Sequence, residues 1–167
     1  MQPEMPRGVA SSSSCRTPGG MQRIADLKLK RAVAGVLIVA ALVVALSPLV
    51  LYAIGLQGVE GRPQLPRQLA SPAGQAAAWQ SVRGVGTPDV PRLNPYTYWS
   101  VVSGGESKAG VLLAWQVAAN HLLSHRRYRG MHWWHLSGAA LTIWLTRNWS
   151  AEQLLSKVAE SRAQNAT

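Results

Sequence analysis

Apolar positions are unevenly spread along this chain. Residues 32–56 carry no charged side chain, and Val, Leu, Ile and Ala fill most of the run. About 20 apolar residues of helix cross the hydrocarbon core of a bilayer, so the run predicts a transmembrane helix with some tilt. Backbone groups in lipid must bond within the segment, which leaves helix as its conformation. Pro48 lies late in the run and is expected to kink or end the helix near one boundary, with Tyr52 at interface depth.

Beyond the run the pattern changes. Residues 57–71 read as a linker, with Pro63, Pro66 and few apolar positions. Ser71-Pro72 then combines a cap with proline at the first helical position and predicts a short helix over 72–82, with Ala76, Trp79 and Val82 on one side. Asn94-Pro95 repeats that signal before Tyr96, Tyr98, Trp99, Val101 and Val102, a second short helix that Gly104-Gly105 breaks. Residues 108–125 follow with Val111, Trp115, Ala118 and Leu122 at helical spacing. Arg126, Arg127 and Arg129 crowd the end of that helix, and Gly130 supplies a turn. A helix over 131–147 is almost uncharged, and a last helix opens at Ser150, where Ser150-Ala151-Glu152-Gln153 has the spacing of a capping box. Trp115 and Trp144 lie on the apolar stripes of their helices and are expected to pack the two together.

The helix over 131–147 has competing readings. The uncharged residues between Arg129 and Arg147 number 17, the lower edge of spanning length. His132, His135, Ser137, Gly138 and Thr142 lower its hydropathy and favour a core helix packed on 108–125. Its tryptophans and the neighbouring arginines also suit a membrane interface.

Charge then sets a topology. Arg23, Lys28, Lys30 and Arg31 precede the apolar run against Asp26 alone. The positive-inside rule puts the N-terminus in the cytoplasm and the rest of the chain outside, as in a single-pass protein of a bacterial-type plasma membrane. A cleaved signal peptide is the rival reading, and Pro48 after the small-residue site Ala45-Leu46-Ser47 counts against it. The expected organisation is a disordered basic cytoplasmic tail over 1–31, a transmembrane helix over 32–56, a linker over 57–71 and a helical domain over 72–167. Translation starting at Met21 would shorten the tail. The formal net charge is +10, and residues 57–167 hold eleven basic and five acidic side chains. A basic domain beside a bilayer suits anionic lipids or an acidic envelope polymer. Nucleic acid is discounted as a partner for an exported domain. Cys15 is the single cysteine, so no intramolecular disulfide forms.

Residues 109–160 resemble the lysozyme-like glycosyltransferase domain of penicillin-binding proteins, which polymerises lipid-linked peptidoglycan precursors. That family carries Gly-Gly-Ser-Thr-Ile-Thr-x-Gln-x-Ala-x-Asn, and in the same register Gly110, Gln116, Ala118 and Asn120 match. The stretch 144–155, with its Ser150 cap, is similar to a second family pattern, Leu-Glu-x-x-Leu-Ser-Lys-Glu-x-Ile-Leu. The resemblance implies an all-α fold, one N-terminal transmembrane helix followed by a small lysozyme-like helical domain, with Gln116 and Asn120 as ligand-binding residues. It also exposes departures. The family's Glu-Asp-x-x-Phe-x-x-His motif, which supplies the general base, has no counterpart, and the chain has no Phe. The family's second glutamate would fall near Ser137 or Gly138, and its hydroxyl residues are replaced by Val111 and Leu112. Glycosyl transfer needs a carboxylate to take the acceptor proton. Of Glu60, Asp89, Glu106, Glu152 and Glu160, only Glu106 is left as a weak catalytic candidate.

The expected function is therefore a membrane-anchored envelope protein that binds peptidoglycan, its lipid-linked precursor or a partner synthase without catalysis. A divergent active glycosyltransferase and a small adaptor of an envelope complex are the alternatives. His121 with His125, and His132 with His135, have spacings that place two imidazoles on one face, but without a third ligand no metal is expected, and no cofactor.

Overall fold

The computed structural model describes residues 19–103 and 108–165. Among them the regular elements are helices: α1 (Gly19–Gln57), α2 (Pro72–Ser81), α3 (Tyr98–Ser103), α4 (Lys108–His125), α5 (Met131–Asn148) and α6 (Ala151–Asn165). The chain divides into two compact units, 1–43 and 44–167, and the boundary falls inside α1. The last turns of α1 thus fall in the second unit, with the helices that follow.

One described helix, over Lys30–Gln57, is long and apolar enough to cross a membrane. It runs further in both directions than expected. Part of the basic lead predicted as disordered, 19–31, is helical, because its Leu, Lys, Arg and Ala residues favour helix and propagate one already nucleated by the apolar run. The rest of that tail, 1–18, lies outside the described residues. Pro48 does not end α1. A proline leaves the carbonyl four residues back without its usual donor. That carbonyl belongs to Val44, and the Ser47 hydroxyl donates to it at 2.9 Å. In lipid such local satisfaction lets the helix continue.

The segment 57–71 is pinned rather than free. The Glu60 N–H donates to the His125 carbonyl at 2.7 Å, and the Arg127 N–H donates to the Gly58 carbonyl at 3.0 Å. This short antiparallel bridge, with Val59 buried, ties the exit of α1 to the end of α4. Further along, the Ala70 N–H donates to the buried Ser156 hydroxyl of α6.

Local signals fix the remaining helices. The Ser71 hydroxyl accepts from the Gly74 N–H and opens α2, which buries Ala78 and Trp79 and leaves Ala76 exposed. Asn94 Oδ1 accepts from the N–H groups of Tyr96 and Thr97 and so leads into α3. At α6 the capping box is complete: Ser150 Oγ accepts from the Gln153 N–H, and Gln153 Oε1 accepts from the Ser150 N–H.

The larger core joins α2, α4, α5 and α6 through Leu113, Leu122, Leu141, Leu145, Leu154 and Leu155, all essentially inaccessible to water. A smaller core of Leu93, Tyr98, Val111 and Ile143 lies against α3, with Tyr52 at its edge. α5 is the common wall. Its residues Ser137–Thr146 are mostly buried, as in a core helix. Trp115 and Trp144 have different partners: Trp115 covers Gly138, and Trp144 lies half-buried at the edge of the larger core beneath the Arg62 guanidinium, 5.8 Å from its ring.

Candidate functional site

The site begins with glycine. A Cβ on Gly55 would stand 2.7 Å from the Leu136 carbonyl oxygen and from the Ala140 Cβ, so the backbones of α1 and α5 meet there. Gly58 is equally confined, against Ser137 and Trp133. Small residues thus bring the last turns of α1 onto one end of α5, a device common where membrane helices meet. A few residues before that contact, α1 leaves α5 free.

The space between them is a cavity of about 720 Å³, within the range of small-molecule sites. Ser47, Pro48, Leu51 and Tyr52 of α1 form one wall. Tyr96, Tyr98, Trp99 and Val102 form a second, Val111, Leu112 and Trp115 of α4 a third, and α5 closes the site with His135, Leu136, Ala139 and Ile143. Leu112 is 48% exposed although α4 is a core helix, because it faces this cavity rather than the core. Trp115 lies over Gly138, where a Cβ would come within 2.6 Å of the indole, and its ring stacks on His135 at 6.3 Å between centroids.

The chemistry of the lining is narrow. Among the described residues it holds no Asp, Glu, Lys or Arg, and its polar side-chain atoms are the Ser47, Tyr52, Tyr96 and Tyr98 hydroxyls and the His135 imidazole. The Ser47 and Tyr96 hydroxyls are already committed, to the carbonyls of Val44 and Ala45. Burial pushes the Tyr98 hydroxyl above its ordinary value, so it stays uncharged. Such a surface is complementary to hydrocarbon, and His135 is the one ordinary acid–base group among its described residues. Two cations stand outside it. Arg62 and Arg147 are close enough to Tyr52 to act on its hydroxyl.

The residues singled out in the sequence lie elsewhere. Gln116 is half-buried and Asn120 exposed, and neither lines the cavity. Val111 and Leu112, which stand in place of the family's hydroxyl residues, do line it. Ser137 is buried at the Gly58 contact, its hydroxyl without a hydrogen-bond partner among the described residues. Glu106, with the Gly104-Gly105 turn, lies outside the described residues. Glu60, Asp89 and Glu152 are exposed, and Glu160 pairs with Lys157 at 2.9 Å. Gly110 has a packing role: a Cβ there would collide with the backbone of Asp89 and Val90.

The histidines form a separate feature. His121 and His125 stack at 4.2 Å between centroids, and His121 Nε2 is buried without a partner. Burial, reinforced by His125, pushes the His121 imidazole below its ordinary value. Among the described residues, no group of three His, Cys, Asp or Glu side chains comes together as a metal site.

The cavity was missed in the sequence because its residues were each given another role. Leu112 and Trp115 stand three apart on α4, beside the stripe of Val111, Ala118 and Leu122. An apolar surface wider than one stripe signals a helix packed on two sides. No family model, no curated protein and no solved structure matches this chain.

Proposed function

We propose that the chain is a single-pass membrane-anchored envelope protein whose outer helical domain binds a lipid-linked peptidoglycan precursor and does not polymerise it. On this reading α1 crosses a plasma membrane with its basic end in the cytoplasm, and the domain is a degenerate relative of the transglycosylase fold. One observation carries the proposal: a cavity walled by the membrane helix itself, mostly apolar and without a carboxylate among its described residues. Hydrocarbon is the ligand that such a wall favours. The two cations Arg62 and Arg147, near Tyr52 of the lining, add attraction for a phosphate headgroup. Catalysis is a different demand. General-base assistance contributes typically about 10²–10⁴-fold, and no described carboxylate is placed to provide it.

The test is a polymerisation assay with full-length protein in detergent, beside a binding measurement with the same lipid-linked disaccharide. Binding without polymer is the expected result. Gln116→Ala, away from the cavity, should leave binding through the cavity intact, and a loss in that variant would move the site to the Gln116 and Asn120 face. Polymer that disappears in Glu106→Gln would establish an enzyme with Glu106 as its base. Neither binding nor polymer would leave the adaptor role.

A further inference from the structure

The Tyr96 hydroxyl donates to the Ala45 carbonyl of α1 at 2.9 Å, which fixes the depth of the segment around α3. About 20 helical residues cross the hydrocarbon core, so a crossing that starts after Arg31 is complete near residue 51. At 1.5 Å per residue Ala45 lies about 9 Å inside that boundary, and a tilted helix puts it deeper. Whatever touches Ala45 shares its depth. We propose that residues 95–103 dip into the outer leaflet of the bilayer as a short monotopic segment beside α1. The inference rests on α1 crossing the membrane and not on the identity of the ligand.

Two further observations support it. The first is composition. Residues 93–103 carry no charge, and Trp99 is 73% exposed, with Tyr96 also open on that side. An indole exposed to that extent suits the interfacial region, where its apolar body and polar edge are both accommodated. The second is polar satisfaction. In a leaflet every polar group needs an internal partner. Asn94 Oδ1 accepts from two backbone N–H groups, and the Thr97 hydroxyl accepts from the Asn94 N–H. The Ser100 hydroxyl donates to the Thr97 carbonyl at 2.8 Å, and the Ser103 hydroxyl donates to the Trp99 carbonyl. The side-chain oxygens at Asn94, Tyr96, Thr97, Ser100 and Ser103 therefore have partners within the protein, and the hydroxyl of Tyr98, a cavity-lining residue, has none among the described residues. The consequence for the cavity is lateral access: its Tyr96, Trp99 and Val102 wall stands in lipid, so a hydrocarbon chain enters from the leaflet without passing through water.

The experiment uses the full chain with Cys15→Ser and one nitroxide-labelled cysteine at a time, in phosphatidylethanolamine–phosphatidylglycerol vesicles. Val39→Cys reports the membrane helix, Leu69→Cys the exposed segment before α2, and Ser100→Cys the α3 segment, with Trp99→Cys as a second probe there. Collision with oxygen relative to a water-soluble nickel chelate should be several-fold higher at 39, 99 and 100 than at 69. Aqueous values at 99 and 100 with a lipid value at 39 would overturn the insertion while leaving the membrane helix in place. Aqueous values at 39 as well would remove both. Shielding from both reagents at 99 and 100 would mean a protein partner on this face and would equally overturn the proposal.

Discussion

The two sides of the α4–α5 pair are built from different materials. On the side of α2 and α6, leucines interlock until nothing is accessible: Leu113, Leu122, Leu141, Leu145 and Leu154 each have 0% exposure. On the side of α1 and α3 aromatics and aliphatics such as Tyr52, Trp99, Trp115, Leu51, Leu112 and Leu136 stand apart and leave a cavity of about 720 Å³. Close packing stabilises the first side, and the second gives up that contact for an open apolar surface. A small domain can keep such a surface only if the opposite side holds the fold together. The comparison assigns stability to one face of α5 and leaves the other open for the proposed binding.

The largest expected effect comes from breaking the sealed side. Leu145→Ala should cost about 2–5 kcal/mol, read as a lower urea midpoint in detergent. The next tests the seam between the sides. Gly55→Leu has no room against Leu136 and Ala140, so it should force α1 off α5 at a cost of about 1–3 kcal/mol in the same titration. An unchanged midpoint would show that the end of α1 is not docked. Ser150→Ala removes half of the α6 capping box and should cost about 0.5–2 kcal/mol, with Ser150→Gly much milder.

The smallest effect is one of pH. The His121 imidazole titrates below its ordinary value when folded, because it is buried and faces His125. Below about pH 6.5 the unfolded chain takes up a proton that the folded chain resists, so stability should fall as pH drops from there through the folded value. It should be flat above that window. His121→Gln should flatten the low-pH side of the midpoint–pH curve, and a wild-type curve that rises on acidification would contradict the burial argument.

The helices of the sealed side were legible in the sequence. Val111, Trp115, Ala118 and Leu122 marked α4, and the Ser150–Gln153 spacing marked both the start of α6 and its cap. The extent of α1 was less so. Pro48 reads as a stop, and only the bond from Ser47 to the Val44 carbonyl shows how the helix tolerates it. The pinning of 57–71 was not legible, because it rests on backbone groups of Gly58, Glu60, His125 and Arg127, which no side-chain pattern records. Gly55 read as one more residue of the membrane helix and Gly58 as part of a linker, whereas both allow close approach to α5. The cavity needs four separate stretches of chain to meet, so no single window of sequence contains it. Gln116 and Asn120 came from a resemblance in register, and spacing alone does not say which face of α4 is open.

The central claim is that the open side of α5 receives the hydrocarbon of a lipid-linked ligand. Ala139 lines the cavity and is only partly buried, so Ala139→Phe fills the space with little disturbance of the leucine core. The decisive measurement is equilibrium binding of the lipid-linked disaccharide to full-length wild type and to Ala139→Phe in the same detergent, with the urea midpoint of each as a control. The account predicts saturable binding to the wild type and a loss of at least about tenfold in the variant, about 1.4 kcal/mol, at an unchanged midpoint. Equal affinity in the two proteins would contradict it.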